Sequence, residues 1–297
     1  MDINAVIPML ASVVELASIY SLVTLGLVFS FRMVGFADLT IESSFTTGAA
    51  VCAVLVSTAS CSPVCALLAA ATAGGMAGSL TALIHVKGRI SRLLSGIIMM
   101  TVLYSINLQI MGKSNIQLGS SASVLDSLPS YMQPFVFPVG ALILFLGALF
   151  LLRTHLGYLL RACGESPQVV TKLGQNYSLL IIFALVISNA LTSFSGAIAA
   201  QYFGYSDIGM SAGLIVSALA ALILGEAICS PKSIFRLLLA AFIGTLVYRF
   251  AFEVALRMHI NPWNLKIAVG VLLAVSIVTK QALVKKRSQL LVGVEAL

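Results

Sequence analysis

The sequence predicts an all-α, polytopic membrane protein of about nine helical spans, with eight to ten compatible with the soft boundaries. Three observations predict it. The 297 residues are 60% hydrophobic and only 9% charged, a balance that cannot clothe an ordinary water-soluble surface. Runs of roughly 20 apolar residues recur along the whole length, and each can cross a hydrocarbon core about 30 Å thick as a helix. The alternating segments of about 10 residues that mark a membrane β-barrel are missing from the sequence.

The predicted spans are 8–31, 41–59, 63–85, 93–111, 134–152, 178–200, 211–229, 233–254 and 264–280, forming a single domain over 1–297. The residues before the first span, Met1-Asp2-Ile3-Asn4, lack the basic region and small-residue cleavage site of a signal peptide, so this segment is expected to be retained. Glu15 is an isolated acid in span 1 with no assignable role. Span 2 opens on a polar run, Asp38, Thr40, Glu42, Ser43, Ser44 and Thr46. Acids at membrane depth cost about 2.5–3.5 kcal/mol unless they meet water, a partner or backbone donors. The run reads either as a broken helix lining a pathway or as a helix cap formed by Asp38 or Thr40.

Span 3 begins where Cys61 and Cys65 flank Pro63, a pair compatible with a disulfide or with a packed helix start. Its Gly74-Gly75-Met76-Ala77-Gly78-Ser79 stretch lets helices approach closely. Span 4 carries Ser105, Asn107 and Gln109, and span 6 carries Ser188 and Asn189; amides in hydrocarbon commonly bond across helices. An external loop is expected over 112–134. On span 8, Arg249 and Glu253 are one turn apart and read as a neutralising pair. Cys52, Cys163 and Cys229 read as small apolar packers.

Lysine and arginine set the orientation. With the C-terminus inside, the cytoplasmic side holds Arg32, Lys87, Arg89, Arg92, Arg153, Arg161, Lys172, Lys232, Arg236, Lys280, Lys285, Lys286 and Arg287. The other side keeps Lys113, Arg249, Arg257 and Lys266. The bias places the N-terminus outside if the span count is odd, and it accounts for the formal charge of +7 without nucleic acid. Gly35-Phe36-Ala37-Asp38-Leu39 is echoed 169 residues later by Gly204-Tyr205-Ser206-Asp207-Ile208. Spans 1–4 would then be repeated upside down by spans 6–9, and transporters built from inverted repeats place their site where the halves meet.

No catalytic constellation emerges. His85, His155 and His259 lie far apart, and neither a His-Glu-x-x-His, a Gly-x-Ser-x-Gly elbow nor a phosphate-cradling Gly-x-x-x-x-Gly-Lys-Ser/Thr loop appears in the sequence. The expectation is a non-enzyme that binds no cofactor of its own. Between spans 5 and 6 lies a polar stretch in which two short helical patterns meet at Gly164-Glu165-Ser166-Pro167. Such an insert suits the docking of another protein on the cytoplasmic side.

The run Leu156 to Gln168, continuing to Lys172-Leu173-Gly174, resembles the cytoplasmic coupling loop of ABC-importer permeases of the branched-chain amino acid and ribose type. Gly35 to Ser44 is similar to the polar motif of their broken second helix. Gly88 to Gly112, with Ile97, Met99, Met100, Thr101, Tyr104 and Asn107, matches a narrower branch, encoded beside an ATPase and a lipoprotein binding protein, some of whose members are linked to aromatic amino acids. Ribose-type permeases usually have ten spans with an internal N-terminal helix; the span pattern read here leads one to expect no counterpart of that first helix, with a count of eight to ten. The residues after Asp38-Leu39-Thr40 are more acidic than is common in the sugar branch, which disfavours sugar cargo.

The resemblance implies a permease in a bacterial inner membrane, moving a small solute, with ATP held by a separate cytoplasmic ATPase. It also implies a periplasmic or lipoprotein receptor and a second permease copy. Segment 153–177 becomes the coupling element: Gly157, Tyr158, Arg161, Ala162, Gly164, Glu165, Pro167 and Lys172 are its expected contacts. Gly164 would permit a tight bend, Pro167 would open the second helix, and Tyr158, Leu159 and Val170 would be apolar anchors. Asp38, Thr40, Ser43, Asn107, Asn189 and Asp207 are expected to face the solute path. The rival reading is a secondary transporter driven by an ion gradient.

Overall fold

A computed structural model describes residues 3–59, 61–119, 123–124, 129 and 132–257. Its helices are α1 (Ile3–Leu27), running into a π-helical segment (Val28–Met33), then α2 (Thr40–Ser57), α3 (Pro63–Gly88) and α4 (Arg92–Met111). There follow α5 (Gln133–Arg153), the short α6 (His155–Glu165) and α7 (Pro167–Lys172), then α8 (Tyr177–Phe203), α9 (Leu214–Cys229) and α10 (Ile234–Arg257). Two three-residue strands, β1 (Asn115–Gln117) and β2 (Tyr205–Asp207), pair antiparallel, with Asn115 opposite Asp207. Seven of the described helices are long and apolar enough to cross a membrane, and α9 is a shorter apolar helix. The predicted span 264–280 lies outside the described residues.

Local chemistry fixes the helix ends. Ser62 accepts the Cys65 N–H and Pro63 occupies the first turn of α3, where a missing N–H costs nothing. Ser91 does the same for Leu94 at the start of α4, and Asn176 accepts from Ser178 and Leu179 at the start of α8. Cys61 and Cys65 are both free thiols, and the pair flanks the capped first turn of α3.

Helix α8 is the centre of the bundle, with α2 and α3 packed along it, α1 against it, and α9 and α10 paired outside α1. The approach is close because small residues meet backbone: a side chain at Gly74 or Gly78 would strike Ser193, Asn189 or the Leu185 carbonyl of α8. The glycine stretch therefore packs, as its sequence suggests.

Two breaks interrupt the bundle. At the first, α1 ends in the π-helical segment, and Gly35 takes a left-handed φ of 63° that turns residues 34–39 back into the interior. Phe36, fully buried, lies edge-on against His85, and α2 starts where the Thr40 hydroxyl meets that of Thr81 at 2.9 Å. Thr81 is about 10 Å along α3 from its end at Gly88, counting about 1.5 Å per residue, so α2 begins inside the layer rather than at its edge. At the second break, Gly204 ends α8 with a φ of 75°, the chain forms β2, and α9 starts after Gly213. The polar run at 38–46 thus opens a helix that starts at a break, and Asp38 accepts the N–H of its first residue, Thr40.

Candidate functional site: a polar seam at the helix break and a two-helix surface segment

The seam is built on Asp38, which is 2% exposed. Its Oδ1 accepts the Thr40 N–H at 2.9 Å, holding the first turn of α2, and its Oδ2 accepts from Asn189 Nδ2 at 2.7 Å. Asn189 also donates to the Leu185 carbonyl at 2.9 Å and accepts the Ser44 hydroxyl at 2.6 Å. It is saturated, and it stitches α2, the re-entrant segment and α8 at one point. Asn189 sits about 18 Å along α8 from Tyr177 at about 1.5 Å per residue, close to the helix midpoint.

The seam continues onto α4. The Ser43 hydroxyl donates to the Met100 carbonyl at 3.0 Å, and Asn107 Nδ2 donates to the Ser43 carbonyl at 3.3 Å. Asn107 Oδ1 is buried with no partner among the described residues. Five of the six expected path residues therefore gather along one seam: Asp38 just before α2, Thr40 and Ser43 on α2, Asn107 on α4 and Asn189 on α8. Asp207 stands apart on β2, where Oδ1 accepts from Gly209 N at 2.8 Å and Oδ2 from Asn115 at 3.3 Å. Its bond to the N–H two residues on repeats that of Asp38 to Thr40.

Sequence reasoning missed two contacts. Glu42 reaches from α2 to accept the Gly213 N–H at the start of α9 (2.7 Å), and the Thr46 and Ser211 hydroxyls meet at 2.6 Å below it. Both belong to the polar run, but a helix starting after an apolar loop gives no sequence sign of which acid will cap it. The Arg249–Glu253 pairing does not form. Glu253 takes Arg257, the equally spaced cation one turn further on, at 3.5 Å. Arg249 lies over the Tyr20 ring instead, 3.4 Å from its centroid.

The surface segment has two faces. Leu159, Leu160, Cys163 and Val170 turn into the bundle, whereas Leu156, Tyr158, Val169 and Leu173 are exposed. Leu159 and Val170 are thus internal packing residues rather than outward anchors, because the amphipathic stripe of α6 spends them on the bundle. Tyr158 is 62% exposed, and the Arg161 guanidinium stacks on it at 4.4 Å while donating to the Gly157 carbonyl at 3.1 Å. Burial pushes the Cys163 thiol up to about 11 against the opposing pull of Arg92, which keeps it an inert packer.

Gly164 does not make the bend; it is helical, and the corner falls at the extended Ser166, with Pro167 opening α7 as expected. The glycine is needed because a Cβ there would strike the Met33 carbonyl oxygen and lie 2.9 Å from Met33 C and 3.3 Å from Val34 Cα. The surface segment therefore rests on the end of the π-helical segment, immediately before the re-entrant residues. Arg92 fastens the same corner, donating to the Gly35 carbonyl at 2.9 Å and to the Tyr177 hydroxyl at 2.8 Å. Beside it Arg32 pairs with buried Glu226 of α9. Ala162, Glu165 and Lys172 complete the segment, Glu165 and Lys172 on its open face.

A helical membrane bundle with a buried polar break, touched from one end by a rigid amphipathic pair of helices, defines a polytopic transport protein. Residues 9–277 match the family model described as branched-chain amino acid transport system / permease component, and the chain belongs to that family. It is 34% identical over 270 residues to a tyrosine transport system permease protein of Clostridioides difficile, covering 90% of each chain. An uncharacterised protein of Rickettsia prowazekii is 33% identical over 260 residues, covering 85% of this chain and 91% of that one. A shorter match, 32% over 96 residues, links it to the high-affinity branched-chain amino acid transport system permease protein BraD of Pseudomonas aeruginosa, covering 32% and 31%. No solved structure matches. The chain is accordingly the permease of an ABC-type importer, a transport subunit.

Proposed function

We propose that this permease moves an amino acid inward across a bacterial inner membrane, driven by a separate ATPase that holds the ATP and grips α6 and α7. The observation that carries the reading is the contact of Gly164 with Met33 and Val34. Force applied to α6 reaches the re-entrant segment directly, and from there Asp38, Thr40 and Asn189. A coupling element must transmit a rigid movement, and here it does so without an intervening flexible link.

In this reading α6 and α7 face the cytoplasm with the C-terminus, the N-terminus is outside, and nine spans cross the membrane. The lysine and arginine bias supports the orientation. The paired breaks, each with an aspartate bonded to the N–H two residues on, support an inverted repeat. A periplasmic or lipoprotein receptor delivers the solute from outside, and a second permease copy completes the path. The tyrosine permease relative supports an amino acid as cargo.

The test is uptake of labelled amino acids into proteoliposomes holding the permease with its ATPase and receptor. ATP-dependent accumulation is expected only when the ATPase is present. Accumulation by the permease alone under an ion gradient would establish the secondary-transporter reading instead.

A further inference from the structure

Arg249 has a job that neither the helix break nor the coupling segment explains. It lies on α10 about 22 Å from the start of that helix at about 1.5 Å per residue, within an apolar span. Its Nε is buried with no hydrogen-bond partner, and no described residue forms an ion pair with it. The acid one turn away, Glu253, is engaged by Arg257. An intramembrane guanidinium is costly without an anion, and such residues mark sites that bind or conduct. The Tyr20 face offsets part of that cost, and Tyr20 is itself held in place by stacking on buried Phe45 of α2, 5.8 Å away.

The guanidinium borders a cavity of about 420 Å³ between α1, the start of α9 and α10. That volume lies within the range of small-ligand sites. Its walls include the rings of Tyr20, Tyr248 and Phe252, together with Gly213 and Ser217 of the α9 start. Gly213 gives its N–H to Glu42, so a cationic and an anionic side chain meet the same loop. An apolar, ring-lined hollow with one unpaired guanidinium is built for a carboxylate carried on an aromatic or bulky apolar group. Arginine binds carboxylates through paired N–H donors.

We propose that this cavity is a solute subsite within the permease: Arg249 binds the carboxylate of the cargo, and Tyr20, Tyr248 and Phe252 receive its aromatic or bulky apolar part. The inference rests on the amino-acid import reading but addresses the permease alone, so the two fail separately. The discrimination among cargoes would then lie partly in this chain and not only in a receptor.

The test uses the full-length permease in phosphatidylcholine nanodiscs, with the five native cysteines replaced and a reporter thiol placed at the cavity by A212C. Labelling by a water-soluble thiosulfonate is followed with L-phenylalanine, with 3-phenylpropionate and with 2-phenylethylamine, which lacks the carboxylate. The two carboxylates are expected to slow labelling, and R249Q to weaken that protection about tenfold to a hundredfold. R249K, which keeps the charge but loses the planar fork, should fall between.

Protection by the amine equal to that by the carboxylates, or protection unchanged in R249Q, overturns the proposal. So does labelling that responds only to added phosphatidylglycerol, which would assign the guanidinium to a lipid phosphate. If protection is seen while reconstituted uptake needs no ATPase, the subsite stands and the import reading falls. If uptake needs the ATPase but nothing protects, the reverse holds.

Discussion

Replacing Gly164 by valine tests the link between the surface segment and the helix break. An added Cβ strikes the Met33 carbonyl oxygen and lies 2.9 Å from Met33 C, whereas ordinary contact begins near 3.4 Å. The obstacle is backbone, so no rotamer change relieves it, and the two segments must part by about an ångström. Overpacking of that kind costs about 1–3 kcal/mol, equivalent to about 5- to 150-fold in a coupling equilibrium. The assay is ATP hydrolysed per solute accumulated in proteoliposomes containing the ATPase and receptor. G164V is expected to keep hydrolysis and lose uptake about tenfold or more, with G164A intermediate. Gly147 on α5 has nothing within 4 Å of an added Cβ, so G147A is the control and should couple normally. A folded G164V permease with the wild-type ratio of hydrolysis to uptake would refute the argument.

Other outcomes follow from the same contacts. N189L leaves Asp38 Oδ2 and the Ser44 hydroxyl without their partner, so thermal unfolding in detergent should show a loss of about 2–5 kcal/mol; a change within about 0.5 kcal/mol would mean the seam is not structural. R32M removes the guanidinium paired with the buried Glu226 carboxylate. The loss should be about 2–3 kcal/mol, below the fully buried range because the Arg32 side chain is 37% exposed. R32M/E226L should recover most of it. The Cys163 thiol titrates at about 11 rather than 9.0, so its maleimide labelling in the folded permease should stay slow through pH 9 and rise towards pH 11. The native preference for the thiol is complete below pH 9 and lost as pH climbs through about 11. Finally, K172C should be labelled by impermeant reagents only from the cytoplasmic side and K113C only from outside; the opposite pattern would invert the orientation.

Much of the bundle was legible because its signals are local. Apolar runs gave most of the spans, and Pro63 marked the start of α3; the caps at Ser62, Ser91 and Asn176 are equally local but were read only from the structure. The clustering of Asp38, Thr40 and Asn189 was half legible: intramembrane polarity marked the residues, but their meeting across 151 positions depends on how α2 packs on α8. The role of Gly164 was misread because a turn and a close approach favour the same residue. Arg249 was assigned to the acid at helical spacing, and only the packing of α1 on α10 reveals that an aromatic face competes for it. The facing of Leu159 and Val170 was likewise hidden, since an amphipathic pair of helices looks the same whichever side meets the bundle.

The two small strands bear on how the molecule deforms. Helix α2 packs on both α4 and α8, and those neighbours are tied at both extremities, by the β1–β2 ladder at one end and by Arg92 and Tyr177 at the other. Together they make a closed bracket around the polar helix. A bracket fastened top and bottom resists splaying, so α4 and α8 are held at a fixed spacing along the length of α2.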